Sequence, residues 1–214
     1  LIQEAYMSQY FEIHPENPQQ RLIHQTVGII EQGGVIVYPT DSCYALGWDI
    51  DNKAAMERVK RLRRLDDRHN FTLVCRDLSD ISNYAKLDNI AYRLIRNLTP
   101  GPYTFILKAT HEVPRRLQPP KRKTVGLRIP DNAIAQALTE ALGRPLMSTS
   151  LIMPDEDMPL TDPYQIRVLL EHQVDLVIDG GFCGLEPTTV VDLTEGAPEI
   201  IRKGRGEIDW LQAH

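Results

Sequence analysis

The chain of 214 residues, 42% hydrophobic and 25% charged, is long enough for one large domain with an ordinary core. No apolar run approaches the roughly 20 residues of a membrane-spanning helix. The N-terminus lacks the basic start, apolar stretch and small-residue cleavage site of a secretory signal. Met7 reads as the natural start, with residues 1–6 a remnant ahead of it. The three cysteines, Cys43, Cys75 and Cys183, are far apart and show no ligand spacing. They argue against a protein-held metal and read as reduced thiols of a cytoplasmic protein.

The net charge of −5 is unevenly spread. Windows 58–64, 115–128 and 202–205 hold 14 of the 24 basic residues and no acid, leaving 10 bases against 29 acids elsewhere. Such segments can focus positive potential on one site. Each taken alone is more often a solvated face.

Residues 1–18 read as a turn-like N-terminal extension, since Asn-Pro at 17–18 resists helix. A helix over 19–32 places Leu22, Ile23, Val27 and Ile30 on one face and stops at Gly33-Gly34. The apolar, β-branched run at 35–39 predicts a buried strand. A helix fits 52–65, a strand 71–75, and helices 77–84 and 87–97. Strands follow at 103–109, 124–129, 145–150, 174–179, 188–193 and 199–203, with helices at 131–143 and 162–172. Strands alternate with helices early and cluster late. The class is therefore α/β with a mixed parallel and antiparallel sheet in a single domain over 19–206, then a tail at 207–214.

No GxGxxG, Walker loop or GxSxG follows any strand, so neither a Rossmann site, a P-loop nor a serine nucleophile is indicated. The segment PTDSCYALG at 39–47 offers hydroxyls at a strand exit, where α/β folds place ligands. It fits equally an Asx or Ser turn. Arg128 stands on an otherwise apolar strand and needs a partner, either a phosphate or a structural carboxylate. STSL at 148–151 supplies hydroxyls at another strand end. IIRKGRG at 200–206 sets basic residues beside glycines that let backbone approach an anion.

Taken in order, GGVIVYPTDSCYALG, KRLRR, TPGPYTFIL, TVGLRIP, RPLMSTS, VDLVIDGG, PTTVVDL and IIRKGRG resemble the YrdC/YciO family of threonylcarbamoyl-AMP synthase-like proteins over about residues 20–206. The SQYFEIHPENPQQR and RxxxxDxxHNFTLVCRDLS stretches look closest to the YciO branch. The resemblance implies a YrdC-like fold, a twisted sheet around a large basic cavity. It implies ATP or AMP as ligand, Mg²⁺ arriving with ATP, L-threonine and bicarbonate as co-substrates, and double-stranded RNA or tRNA as partner. By that resemblance Thr40 and Tyr44 stand at the threonine end of the cavity, with Thr104 and Ser148 also substrate-binding. Arg61, Arg63, Arg128 and Arg202 contact phosphates, and Ser148 and Ser150 the nucleotide. The basic residues Lys60, Arg64, Lys121, Arg122 and Lys123 are then the RNA contacts, and no residue is assigned a covalent catalytic role.

The sequence departs from the synthases twice. Their KxR motif is met by Arg61-Leu62-Arg63, and a fork and a point charge place donors differently. Their SxN asparagine is replaced by Ile152, which cannot supply amide hydrogen bonds. Three functions fit: a divergent synthase linked to tRNA modification, a non-catalytic RNA- or nucleotide-binding protein, and a carrier of another anion.

Overall fold

The structure, a computed structural model, describes residues 7–212. Residues 1–6, read from the sequence as a remnant, and the last two residues of the tail lie outside them. The elements in chain order are β1 (Gln9–Glu12), α1 (Gln20–Glu31), β2 (Ile36–Tyr38), β3 (Ala45–Asp49) and α2 (Lys53–Arg63). Next come β4 (Thr72–Val74), α3 (Leu78–Tyr84), α4 (Asn89–Leu98), β5 (Tyr103–Lys108) and β6 (Thr124–Arg128). The chain closes with α5 (Ala133–Leu142), β7 (Leu146–Ser150), α6 (Pro163–Leu170), β8 (Leu176–Asp179), β9 (Thr189–Asp192) and β10 (Glu199–Arg202). The strands form one mixed sheet in the order β1-β8-β2-β3-β7-β4-β6-β5-β9-β10.

Two strands depart from the sequence expectation. Residues 9–12, inside the expected turn-like extension, pair in parallel with β8 as an edge strand. Residues 45–49, whose first three close the segment 39–47 that also fits a turn, form β3, antiparallel to both β2 and β7. Both are short, and β3 carries Gly47 in its middle, so neither has the β-branched run that marks a strand.

The helices begin where the sequence supplies caps. Asn52 Oδ1 accepts from Ala55 N at 2.8 Å, Asp88 Oδ1 from Ala91 N at 2.7 Å and Asn132 Oδ1 from Ala135 N at 3.0 Å. Helix α5 stops at Gly143, whose φ of 73° suits glycine. Helix α2 stops instead at Arg64, also left-handed at φ 53°, with Leu65 N donating to Lys60 O at 2.9 Å. That reversal turns residues 64–70 back over the sheet toward β4.

Alternation along the strands divides their side chains between two faces. One face presents Val37, Leu46, Trp48, Leu73, Phe105 and Leu127 to residues of α2, α3, α4 and α6 in the larger core. The other presents Ile36, Tyr38, Ala45, Val74, Leu146 and Leu176 to Ile23 and Ile30 of α1 and Ile134 and Leu138 of α5. Each aliphatic side chain buried this fully contributes about 1.5–3 kcal/mol. No residue of β5, β6, β9 or β10 belongs to this second core. Their side chains on the same face line a cavity instead. Among the described residues no helix is long and apolar enough to cross a membrane, and the three cysteines are free.

Candidate functional site: a cationic cavity on the open half of the sheet

The cavity has a volume of about 420 Å³. Strand alternation selects its floor: Thr104 and Ile106 from β5, Gly126 and Arg128 from β6, and Ser148 and Ser150 from β7. Thr72 of β4 pairs with Gly126 on one side and Ser148 on the other. A Cβ at Gly126 would stand 3.2 Å from Thr72 Oγ1 and 3.4 Å from Thr104 Cγ2. The bare Cα thus keeps the middle of the floor open.

One arginine from each of the three basic windows reaches this cavity: Arg63 at the end of α2, Arg128 at the end of β6 and Arg202 on β10. Arg202 is re-aimed by an irregularity. The β10–β9 register shifts between Ile200 and Arg202, setting Arg202 opposite Val190, which faces the cavity. An unbroken ladder would set it opposite Thr189, on the other face.

The three arginines differ in how they are neutralised. Arg128, 7% exposed, forms an ion pair with Asp41 and donates to Ser42 Oγ at 3.3 Å. Its partner is therefore a carboxylate, supplied by the PTDS segment itself. Its Nε is buried without a partner among the described residues. Arg63 donates from Nε to Ile152 O at 2.9 Å and from Nη1 to Thr149 Oγ1 at 2.7 Å. Arg202 donates from Nε and Nη2 to Thr188 O at 3.1 and 2.9 Å. Neither Arg63 nor Arg202 forms an ion pair among the described residues. Burial lowers the pKa of both, with Cys43 opposing, yet a guanidinium remains charged at neutral pH. No Asp or Glu lines the cavity among the described residues. The half-buried Arg63 and the exposed Arg202 thus present their charges to a space without anionic protein groups, an arrangement that favours an anionic ligand.

The hydroxyls are partly committed. Thr40 Oγ1 donates to Cys43 O at 2.6 Å and accepts from Ser42 N at 3.1 Å and Cys43 N at 3.2 Å. Thr40 lines the cavity while its hydroxyl holds the turn. Thr104 and Thr188 share a 2.8 Å hydrogen bond, and Ser148 shares one of 2.5 Å with Tyr38. Burial pushes the Tyr38 phenol up to about 12, against the Ser148 hydrogen bond. Ser150 Oγ makes no hydrogen bond among the described residues.

Several expected residues lie elsewhere. Tyr44 precedes Ala45, which takes the cavity face. Tyr44 therefore turns to the core, donating to Gly181 O at 2.5 Å and accepting from Gly180 N at 3.2 Å. It ties the 180–181 loop to β3 and does not line the cavity. Arg61, two residues before Arg63 on α2, is rotated about 200° from it. It lines a separate, more open groove of about 910 Å³ together with Met153, Met158 and Leu169. That groove is larger, but Arg58 and Arg64 in its wall already pair with Asp175 and Asp155.

Lys60 pairs with Asp67 and Arg122 with Asp192, while Lys121 and Lys123 are exposed. Arg116, earlier in the loop that carries the last three, donates to Ile50 O at 2.7 Å. Arg64 is exposed as well, whereas Lys60 is half-buried.

Sequence reasoning missed Thr72, Gly126, Thr149, Thr188, Arg68 and His69, all of which line the cavity. Thr72 and Gly126 follow from alternation once the facing of each strand is known, whereas Thr149 stands on the opposite face of β7 from Ser148 and Ser150 and borders the cavity beside Arg63. His69 carries no such signal. It is placed by the left-handed turn at Arg64 and by Phe71, whose ring centroid lies 5.2 Å from the imidazole.

The Sua5/YciO/YrdC family model, described as telomere recombination, matches residues 28–204. The chain belongs to the Sua5/YciO/YrdC family. It is 60% identical over 202 residues to protein YciO of Escherichia coli strain K12, covering 94% of this chain and 98% of that protein. It is 62% identical over 201 residues to a Haemophilus influenzae protein, covering 94% and 97% respectively. The E. coli YciO crystal structure matches with a TM-score of 0.92 over 95% of this chain and 98% of that one. P. abyssi Sua5 in complex with L-threonine matches with a TM-score of 0.83 at 25% identity, covering 91% of this chain and 57% of that chain. The single α/β domain with its mixed sheet is thus the fold of YciO and of the corresponding part of Sua5.

Proposed function

We propose that the cavity binds the phosphates of a nucleotide, ATP or AMP, and that the chain is a nucleotide- and RNA-binding member of its family with threonylcarbamoyl-AMP synthase-like chemistry. The carrying observation is the pair of Arg63, half-buried, and Arg202, exposed at the cavity: both are charged and, among the described residues, bonded only to neutral oxygens. The threonine complex of P. abyssi Sua5 supports an amino acid as co-ligand. In the synthase reaction a carbamate oxygen, from L-threonine and bicarbonate, attacks the α-phosphate of ATP and pyrophosphate leaves. Arg63 and Arg202 would stabilise the charge that gathers on the phosphate oxygens. Arg128, neutralised by Asp41, would shape the wall beside them.

Mg²⁺ fits this site only as a companion of the nucleotide. The lining offers hydroxyls and no carboxylate, and among the described residues no group of three or more His, Cys, Asp or Glu could hold a metal. Mg²⁺ would be held by phosphate oxygens and water, where it supplies further charge neutralisation.

A second reading, binding without synthesis, is favoured by two particular observations. Arg61 faces away from the cavity, and Ile152 lines it with an alkyl group. One experiment separates the two. ATP affinity is measured by calorimetry, and pyrophosphate release is measured with L-threonine, bicarbonate and Mg²⁺. Wild-type protein is compared with Arg63→Gln and Arg202→Gln. Each substitution should weaken ATP binding about tenfold or more, the value of a charge-assisted phosphate contact. Threonine-dependent pyrophosphate release supports the synthase, and ATP binding without release supports the second reading. Equal affinity in all three proteins would refute the cavity as the nucleotide site. RNA affinity, if carried by the exposed Arg64, Lys121, Arg122 and Lys123, should fall steeply with salt.

A further inference from the structure

The hydrogen bonds around Arg63 extend one step beyond the cavity wall. A guanidinium can only donate, so Thr149 Oγ1 accepts from Arg63 Nη1 at 2.7 Å. The one proton of that hydroxyl is then available to His69 Nε2, 3.1 Å away. To receive it, Nε2 must carry a lone pair, which makes His69 a neutral imidazole with its proton on Nδ1. Its surroundings favour that state: burial, and then the Arg63 charge, lower its pKa to about 4, with Asp66 opposing.

The donors of Arg63 are thereby apportioned. Nε is held by Ile152 O and Nη1 by Thr149, while Nη2 makes no hydrogen bond among the described residues and is left for a ligand. Should the Thr149 hydroxyl lose its acceptor, its proton could swing toward the guanidinium and weaken that anchor. His69 is not needed to hold its own turn. Lys60–Asp67 at 2.6 Å and Arg68–Asp66 at 2.9 Å brace residues 60–68, and Phe71 anchors the far side in the core.

We propose that His69 is a positioning residue for Arg63: through the Thr149 hydroxyl it fixes the guanidinium edge that an anionic ligand meets. The proposal rests on the cavity as the site of the nucleotide.

The test is ATP binding by calorimetry at pH 7.5 on the full chain, beside thermal melts. His69→Leu and Thr149→Val remove the lone pair and the hydroxyl while keeping bulk. Each should weaken ATP binding about tenfold, and the double variant should be no weaker than either single one, because both break the same chain. His69→Gln, which can place an amide oxygen where Nε2 stands, and Thr149→Ser should recover most of the loss. Packing alone would give neither the recovery nor the non-additivity. If wild type binds ATP and His69→Leu binds it equally well, or if the two losses add, the positioning role is refuted and the cavity reading stands. If wild type itself does not bind ATP, the cavity reading fails and this proposal with it.

Discussion

Replacing Asp41 by Asn strikes the most buried ion pair of the cavity wall. The Asp41 and Arg128 side chains are 11% and 8% exposed, so water screens them little. Asn keeps an oxygen for the Asp131 backbone N–H, which donates to Asp41 Oδ2 at 2.8 Å, but removes the charge opposite Arg128. The other side-chain acceptor, Ser42 Oγ at 3.3 Å, is neutral and cannot replace the charge, and Arg128 Nε is already buried without a partner among the described residues. Removing one member of such a pair costs about 3–5 kcal/mol. The open cavity beside Arg128 admits some water and places the expectation near the lower end, about 3 kcal/mol. At an m-value of about 2 kcal/mol/M the urea midpoint falls by about 1.5 M. Asp41→Asn combined with Arg128→Met removes both charges and should return to within about 1–2 kcal/mol of wild type. Urea unfolding followed by circular dichroism, with m fitted for each protein, reads all three values. A loss below about 1 kcal/mol for Asp41→Asn, or a double variant as unstable as the single one, would refute the account of Arg128 as a carboxylate-bound structural arginine.

Gly126→Val should cut ATP affinity at least tenfold. Its side chain would fill the floor between Thr72 and Thr104, where the first carbon already stands 3.2–3.4 Å from both; unchanged affinity by calorimetry would place the ligand elsewhere. Tyr44→Phe should destabilise the fold by about 1–3 kcal/mol, because Gly181 O loses its donor and Gly180 N its acceptor. It should leave the intrinsic affinity for ATP largely intact, as Tyr44 does not line the cavity. His69 should make stability pH-dependent. Its folded pKa of about 4 lies below the ordinary 6.5, so between these values the unfolded chain binds more protons. The stabilisation is full above about pH 6.5 and is lost as the pH falls toward 4. Allowing for solvent access it amounts to about 2 kcal/mol. The urea midpoint should therefore fall further between pH 7 and pH 4.5 for wild type than for His69→Gln.

The reach of sequence reasoning followed how locally each feature is encoded. The helices were legible because their signals are local: the apolar face of Leu22, Ile23, Val27 and Ile30 and the Gly33-Gly34 stop lie within one stretch of chain. β1 was hidden because Gln9–Glu12 is held by pairing with β8, some 165 residues later in the chain. The three basic windows were visible, but a count of charges cannot say which side chain turns inward. Arg63 faces the cavity while Arg61 does not, and that follows from the angle of α2 against the sheet. Arg128 needed a partner, and only the structure shows that Asp41 is the one. Tyr44 and Ala45 are neighbours in one motif, yet strand alternation sends them to opposite faces. His69 depends on a left-handed residue at Arg64, where no glycine announces it.

The register shift that brings Arg202 into the cavity has a second consequence, because β10 is the last strand of the sheet. An outermost strand with a regular ladder offers free N–H and C=O groups on which another chain can build. The irregularity between Ile200 and Arg202 interrupts that template and increases the local twist. One extra residue thus ties ligand contact to protection against edge-to-edge aggregation. A shortened β10 would lose both together, and failure to bind in such a variant would arrive mixed with self-association.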